Sequence, residues 1–139
     1  MKQSIKVQFD YDFSLIAIVA PLKDYRLSSF INKALNLQLV RVDDVINQYD
    51  KLHDDATFSR YIADDEENEM SFDLISNKNE NGPLIKEQKE VDYFLIVQGG
   101  KSAEQCKYII ERINNIQYVQ LAFELDVNDL KSKQNLILE

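Results

Sequence analysis

The chain is poor in the residues that cross-link or punctuate a fold: it has one cysteine, two prolines, three glycines and no tryptophan. A lone thiol, Cys106, excludes an internal disulfide and any metal cluster built on several cysteines, and it points to a reducing compartment. So few glycines and prolines leave little room for tight turns, so the elements are expected to be long. Histidine is as scarce, and His53 would have to be the base of any Ser-His-Asp or Cys-His arrangement. Its setting, His53-Asp54-Asp55, is that of a surface residue. No apolar run approaches the roughly 20 residues needed to cross a bilayer. The run Leu15 to Ala20 is preceded by Asp10 and Asp12 and followed by no small-x-small cleavage site, which argues against a secretory leader. A cytoplasmic address is the expectation.

What is present is the composition of a soluble globular protein. The 139 residues are 45% hydrophobic and 29% charged, which is one domain's worth of chain, 1–139, able to bury a core. Acid exceeds base, with 24 Asp and Glu against 16 Lys and Arg and a net charge of −8. Such a chain is repelled by nucleic acid and by anionic membrane surfaces, so neither is an expected partner. The acid is also segregated. Between Asp43 and Glu80 there are 12 acidic residues against Lys51, Arg60 and Lys78, while the rest of the chain, with 13 basic and 12 acidic residues, is close to neutral. One segment therefore carries the whole net charge, either as a solubilising face or as a docking surface for a basic partner.

Alternation of apolar and polar residues from Ile5 to Phe13 predicts a half-buried strand, and Leu15 to Ala20, apolar on both faces, a buried one ended by Pro21. Leu27, Phe30, Ile31 and Ala34 at helical spacing predict an amphipathic helix from Lys23 to Leu35. Val45 to His53 is short and mixed and reads as one or two helical turns on the surface. Phe58 to Ile62 and Met70 to Leu74 alternate on either side of Asp64 to Glu67, the pattern of a hairpin with an acidic tip. Asn77 to Pro83 is a loop, Val91 to Val97 a central strand, and Gly99-Gly100 a turn. Ser102 and Gln105 form a capping-box pattern before a helix lined by Ala103, Cys106, Ile109, Ile110 and Ile113. Val119 to Leu125 supplies the last strand, and Leu136, Ile137 and Leu138 require a packing partner that the sequence does not indicate. The fold class is α+β, a mainly antiparallel sheet of about five to seven strands with two principal helices packed on one face.

Chemistry-bearing patterns are few. Gly99-Gly100-Lys101-Ser102 follows a strand and opens a helix as a phosphate-binding loop would, but Leu95 stands where that motif needs its first glycine, so a turn and helix start account for it. Cys106, on the apolar side of its helix, reads as a small inert core residue. Asp64, Asp65, Glu66 and Glu67 lack the alternating spacing and central glycine of a calcium loop. No cofactor or metal pattern is present. Asp24, Tyr25 and Arg26 put an acid, an aromatic and a guanidinium at the start of a helix. Asp24 suits the helix dipole, and Tyr25 and Arg26 are residue types enriched at protein interfaces.

Ile85-Lys86-Glu87-Gln88-Lys89-Glu90-Val91-Asp92-Tyr93 resembles the signature of the small bacterial family named after its motif, IPExxxVDY. Ile85, Glu87, Val91, Asp92 and Tyr93 stand where the pattern asks, and Lys86 replaces the proline. Asp24-Tyr25-Arg26-Leu27 is similar to that family's N-terminal half, so the resemblance spans nearly the whole chain. It implies a cytoplasmic protein of similar length and no particular chemistry, because the family has no established activity. On physical grounds Glu87 and Asp92 are able to accept backbone N–H groups and hold the connector into the central strand, and Tyr93 packs with its hydroxyl seeking a partner. The functional expectation is a non-catalytic acidic protein-binding or regulatory module that takes an unidentified, basic protein partner or forms a homodimer. The alternative is a small-molecule-binding domain with a pocket between helices and sheet, lined by some of the 7 Tyr and 7 Phe. An enzyme using carboxylates alone ranks behind both.

Overall fold

In the run Ser-Leu-Ile-Ala-Ile-Val every residue but the last is buried, and it forms β1 (Ser14–Val19). The computed structural model describes residues 13–46 and 56–136. The predicted strand from Ile5 to Phe13 thus lies outside the described residues except for Phe13, and so do His53, Ile137 and Leu138. After β1 come α1 (Asp24–Leu35), β2 (Val40–Ile46), β3 (Thr57–Asp65), β4 (Met70–Ser76), β5 (Tyr93–Gly99), α2 (Ser102–Asn114) and β6 (Leu121–Leu125). The six strands form one antiparallel sheet in the order β2-β3-β4-β5-β1-β6. This is the α+β architecture expected, with β5 central between β4 and β1.

The two faces of the sheet are covered differently. Ile16, Ile18, Leu74, Tyr93, Leu95 and Ala122 face a core closed by Leu27 and Ile31 of α1 and by Cys106, Ile109 and Ile113 of α2. Leu15, Ala17, Phe58, Ile75, Phe94 and Ile96 point the other way. Among the described residues neither α-helix covers them. Leu84, Ile85 and Val91 from the connection between β4 and β5 do, together with Val127, Leu130 and Leu136 from the C-terminal tail. Alternate residues of β5 therefore enter separate cores, which is why its sequence is apolar without a break.

Several local expectations are corrected. Val40 to Ile46 is a strand, so Val45 does not begin surface helical turns. The β-branched Val40, Val42, Val45 and Ile46 pair with β3, and a bulge between Val42 and Val45 absorbs the two acids that break the alternation. The capping box at Ser102 does not form. Lys101 precedes the helix without a side-chain cap, and Ser102, already its first residue, turns its hydroxyl back to donate to the Gly99 carbonyl at 3.0 Å. Ala103 is exposed, not part of the apolar side. The last strand starts at Leu121, two residues after Val119, because Tyr118 adopts a left-handed conformation (φ 78°) that interrupts an extended chain.

The turn after β5 depends on one glycine. Gly99 has φ +109°, and a Cβ there would lie 2.1 Å from the Glu69 carbonyl oxygen, the atom that accepts the Gly100 N–H at 3.0 Å. Gly99→Ala is expected to lower stability by roughly 2–3 kcal/mol, measured by urea denaturation, whereas Gly82→Ala, with nothing near its Cβ position, is expected to cost about 1 kcal/mol from its positive φ alone.

Candidate functional site

The segment that resembles a family signature closes the 16-residue stretch 77–92 between β4 and β5 and ends on Tyr93, the first residue of β5. Loops this long are unusual unless they are internally tied, and this one is wound around Asn77. That side chain is fully buried. Its Nδ2 donates to the carbonyls of Gln88 and Val91, both at 2.8 Å, and its Oδ1 accepts the Ile85 N–H at 2.8 Å. Its backbone adds bonds to Asp92 and Leu84. Both donors of the amide and its oxygen are thereby engaged.

Each motif residue has its own partner. Ile85 and Val91 are fully buried in the core beneath the tail. Lys86 occupies the first position of a one-turn helix, Lys86–Gln88, where proline's fixed φ would also fit. Glu87 accepts the Ser132 N–H and hydroxyl, both at 2.8 Å, and Asn135 donates to the Leu84 carbonyl at 2.7 Å. Together these three bonds fasten the tail to the loop. Burial pushes the Glu87 carboxyl up, but the hydrogen bonds from Ser132 outweigh it, so its pKa lies below the ordinary carboxylate value.

Asp92 joins three segments. Its Oδ2 accepts the Ala20 N–H at 2.7 Å, its Oδ1 pairs with Lys78 at 3.1 Å, and its backbone bonds to Ile18 and Asn77. Tyr93 is buried under α1's leading turn and donates its hydroxyl to the Leu22 carbonyl. Burial, and then the negative charge of Asp24 and Asp92, raise its pKa far above its ordinary value, so it remains a neutral donor. Tyr61 is raised by burial and by Asp24, with Arg41 opposing, and the Cys106 thiol is raised mainly by burial. None of these shifts produces a base or nucleophile ready at neutral pH.

Asp24 and the Asp92-Tyr93 pair, far apart in sequence, meet at one open cleft. The cleft holds about 460 Å³ between the start of α1 and the strands β3 to β5, with Lys23, Ser59, Ser76 and Lys78 completing its polar wall. Asp24 accepts the Tyr25 N–H at 2.7 Å and reaches Arg41 of β2 at 3.6 Å, which also pairs with Asp44 at 2.9 Å. Tyr93 is the only aromatic among its lining residues, so the expected lining of several Tyr and Phe is not found there.

The other singled-out residues lie elsewhere. Tyr25 is 62% exposed, and Arg26 stacks on Phe30 and Tyr118 at 5.5 and 5.9 Å. The acidic tip is at the opposite end of the sheet, since Met70 pairs with Gly99 while Ser76 pairs with Tyr93. Asp64 and Asp65 belong to β3, and Glu66 and Glu67 lie in the turn. Asp65 has a structural task there, accepting from the Asn68 backbone and side chain at 3.2 and 2.9 Å. Among the described residues no group of three or more His, Cys, Asp or Glu could hold a metal ion, and no helix is long and apolar enough to cross a membrane.

Sequence reasoning passed over Asn77, Arg41 and Asn114. Asn77 opens a run of Asn, Lys and Glu that looks like an exposed loop, and nothing local marks one amide of that run as buried. No family model matches the chain, and no curated protein is significantly similar to it in sequence.

Asn77→Ala is expected to cost about 3 kcal/mol, because it strands two carbonyls and an N–H in the interior, and to abolish two-state urea unfolding if the loop detaches first. Glu87→Gln is expected to lose about 1 kcal/mol. Since the folded pKa is depressed, that contribution is fully present above the ordinary carboxylate value of about 4.3 and disappears as pH falls through the folded value. Stability curves of wild type and variant should therefore stay apart at neutral pH and converge only as pH falls through the depressed folded value of Glu87.

Proposed function

We propose that the protein is a non-catalytic acidic protein-binding or regulatory module of the IPExxxVDY kind, working in the cytoplasm, with a basic protein rather than nucleic acid as its partner. The observation that carries the reading is where the acid falls. Strands β2, β3 and β4 are consecutive neighbours at one side of the sheet, so a charge excess that is local in sequence becomes a contiguous acidic half of the molecule. Asp43 and Asp44 lie on β2, Asp64 and Asp65 at the end of β3, and Glu66, Glu67 and Glu69 in the turn, with Glu80 in the following loop. Of the described acids in this half, Asp73 is neutralised by Arg60 at 2.6 Å and Asp44 by Arg41, while the tip carboxylates form no ion pair among the described residues. A field of one sign steers an oppositely charged partner and is weakened by salt. The motif carboxylates, by contrast, are occupied in holding loop and tail, which leaves them no catalytic task.

A second reading, a small-molecule-binding domain, is favoured by the cleft at Asp24, Lys78, Asp92 and Tyr93. Its volume lies within the range of small-ligand sites, and its mixed charge would suit a polar ligand.

The two are separated by a native-lysate pull-down with the tagged protein beside a tip variant. That variant is Asp64→Lys, Glu66→Lys and Glu67→Lys with Asp65 left in place, because Asp65 holds the turn. The module reading expects a stoichiometric partner lost with the variant or with 0.5 M salt, where the screening length falls to about 4 Å, and an unchanged Tm. Empty lanes at both salts, with a metabolite raising Tm of wild type and variant alike, would establish the second reading instead.

A further inference from the structure

The sheet has two outer edges, β2 and β6, and they are not equivalent. On β6 the Ala122 N–H donates to Asn114 Oδ1 at 2.8 Å, and the Ala122 carbonyl accepts from Asn114 Nδ2 at 2.9 Å. A single side-chain amide at the end of α2 thus stands in for the peptide unit of a neighbouring strand and closes that edge at Ala122, near the start of β6. β2 has no such cover among the described residues. Among the described residues it pairs only with β3, and Val40 and Ile46 at its two ends are each 57% exposed.

The chemistry of β2 selects among the strands that would join it. Val42 pairs with Arg60 and Val45 with Phe58, so Asp43 and Asp44 bulge opposite Ser59 alone. Both acids are exposed. Asp44 is held by Arg41, and Asp43 has no ion pair among the described residues. Two carboxylates at the centre of a seven-residue strand work against a second copy of the chain, because full-length antiparallel pairing of β2 with itself would lay Asp43 on Asp43. They work equally against a flat apolar strand, which would have to bury them unpaired. They favour an extended segment with Lys or Arg at its centre, and the exposed Val40 and Ile46 give apolar residues on either side of that centre something to pack on.

We propose that the outer edge of β2 takes an extended, centrally basic segment of a partner protein as an additional strand. This rests on the reading of the protein as a protein-binding module and deepens it by naming the surface and the partner's chemistry. Backbone hydrogen bonds of the added strand supply affinity, and the Asp43–Asp44 bulge supplies the choice of charge.

The test uses the full chain and synthetic peptides. Fluorescence anisotropy compares Thr-Val-Lys-Arg-Lys-Val-Thr, the same peptide with Glu at its three central positions, and the basic peptide N-methylated on alternate residues in each of the two registers. The basic peptide should bind and the acidic one should not. N-methylation in one register should abolish binding, because it removes the donors facing β2. Asp43→Lys should weaken binding about tenfold at low salt with Tm unchanged. Amide shifts on peptide addition should centre on Val40–Ile46. Binding indifferent to N-methylation in both registers, shifts centred on Asp64–Glu67, or no binding would each overturn the proposal. If the peptides fail while a partner is still captured in a tip-dependent manner, the edge assignment falls and the module reading stands. If both fail, both fall.

Discussion

The Asn77 amide is the constraint on which most of the molecule depends. It is a fully buried polar group, and burying it is tolerable only because its donors and acceptor all find partners. Those partners are backbone groups of Ile85, Gln88 and Val91, so satisfying the amide requires the connection between β4 and β5 to fold back over the sheet. Once it does, Leu84, Ile85 and Val91 cover the face opposite the two α-helices, Glu87 is presented to Ser132, and Asp92 arrives beside Ala20. The unpaired alternative would leave both the amide and an apolar sheet face in water, and this makes the arrangement cooperative.

A consequence is that the two halves of the sheet serve different ends. The β5, β1 and β6 half is packed on both sides, by helices on one face and by loop and tail on the other. The β2, β3 and β4 half carries the charge. Its inward side chains, among them Phe58, Tyr61, Phe72 and Leu74, still belong to the cores, so acid is confined to the bulge of β2, alternate positions, strand ends and turns. Repulsion within that half is tolerated because its carboxylates are solvated, and two of them are offset by Arg41 and Arg60.

Parts of the candidate site were legible in the residues themselves. Glu87 and Asp92 flank a connector into an apolar strand, and short carboxylates in such places accept backbone N–H groups. Tyr93 opens a buried strand, where a hydroxyl needs a partner. Their particular partners were not legible. Asp92 meets Ala20 across a sequence separation of 72, Tyr93 meets Leu22 across 71, and Glu87 meets Ser132 across 45. Asn114 gives no local sign that it closes a sheet edge, and the two acids of β2 look like a surface turn until β3 is laid beside them.

What the sequence determined by itself is what depends on periodicity and composition. The central strand β5, the helix α1, the hairpin of β3 and β4, the α+β class and the segregation of acid all follow from the spacing of apolar side chains and from charge counting, which act over a few residues. Only the tertiary structure decided the strand order, the conversion of Val40–Ile46 into an edge strand, the burial of Asn77, the docking of the tail and the joining of Asp24 to Asp92 and Tyr93 in one cleft. These rest on hydrogen bonds and packing between segments distant along the chain. No window of sequence contains both partners of such a contact.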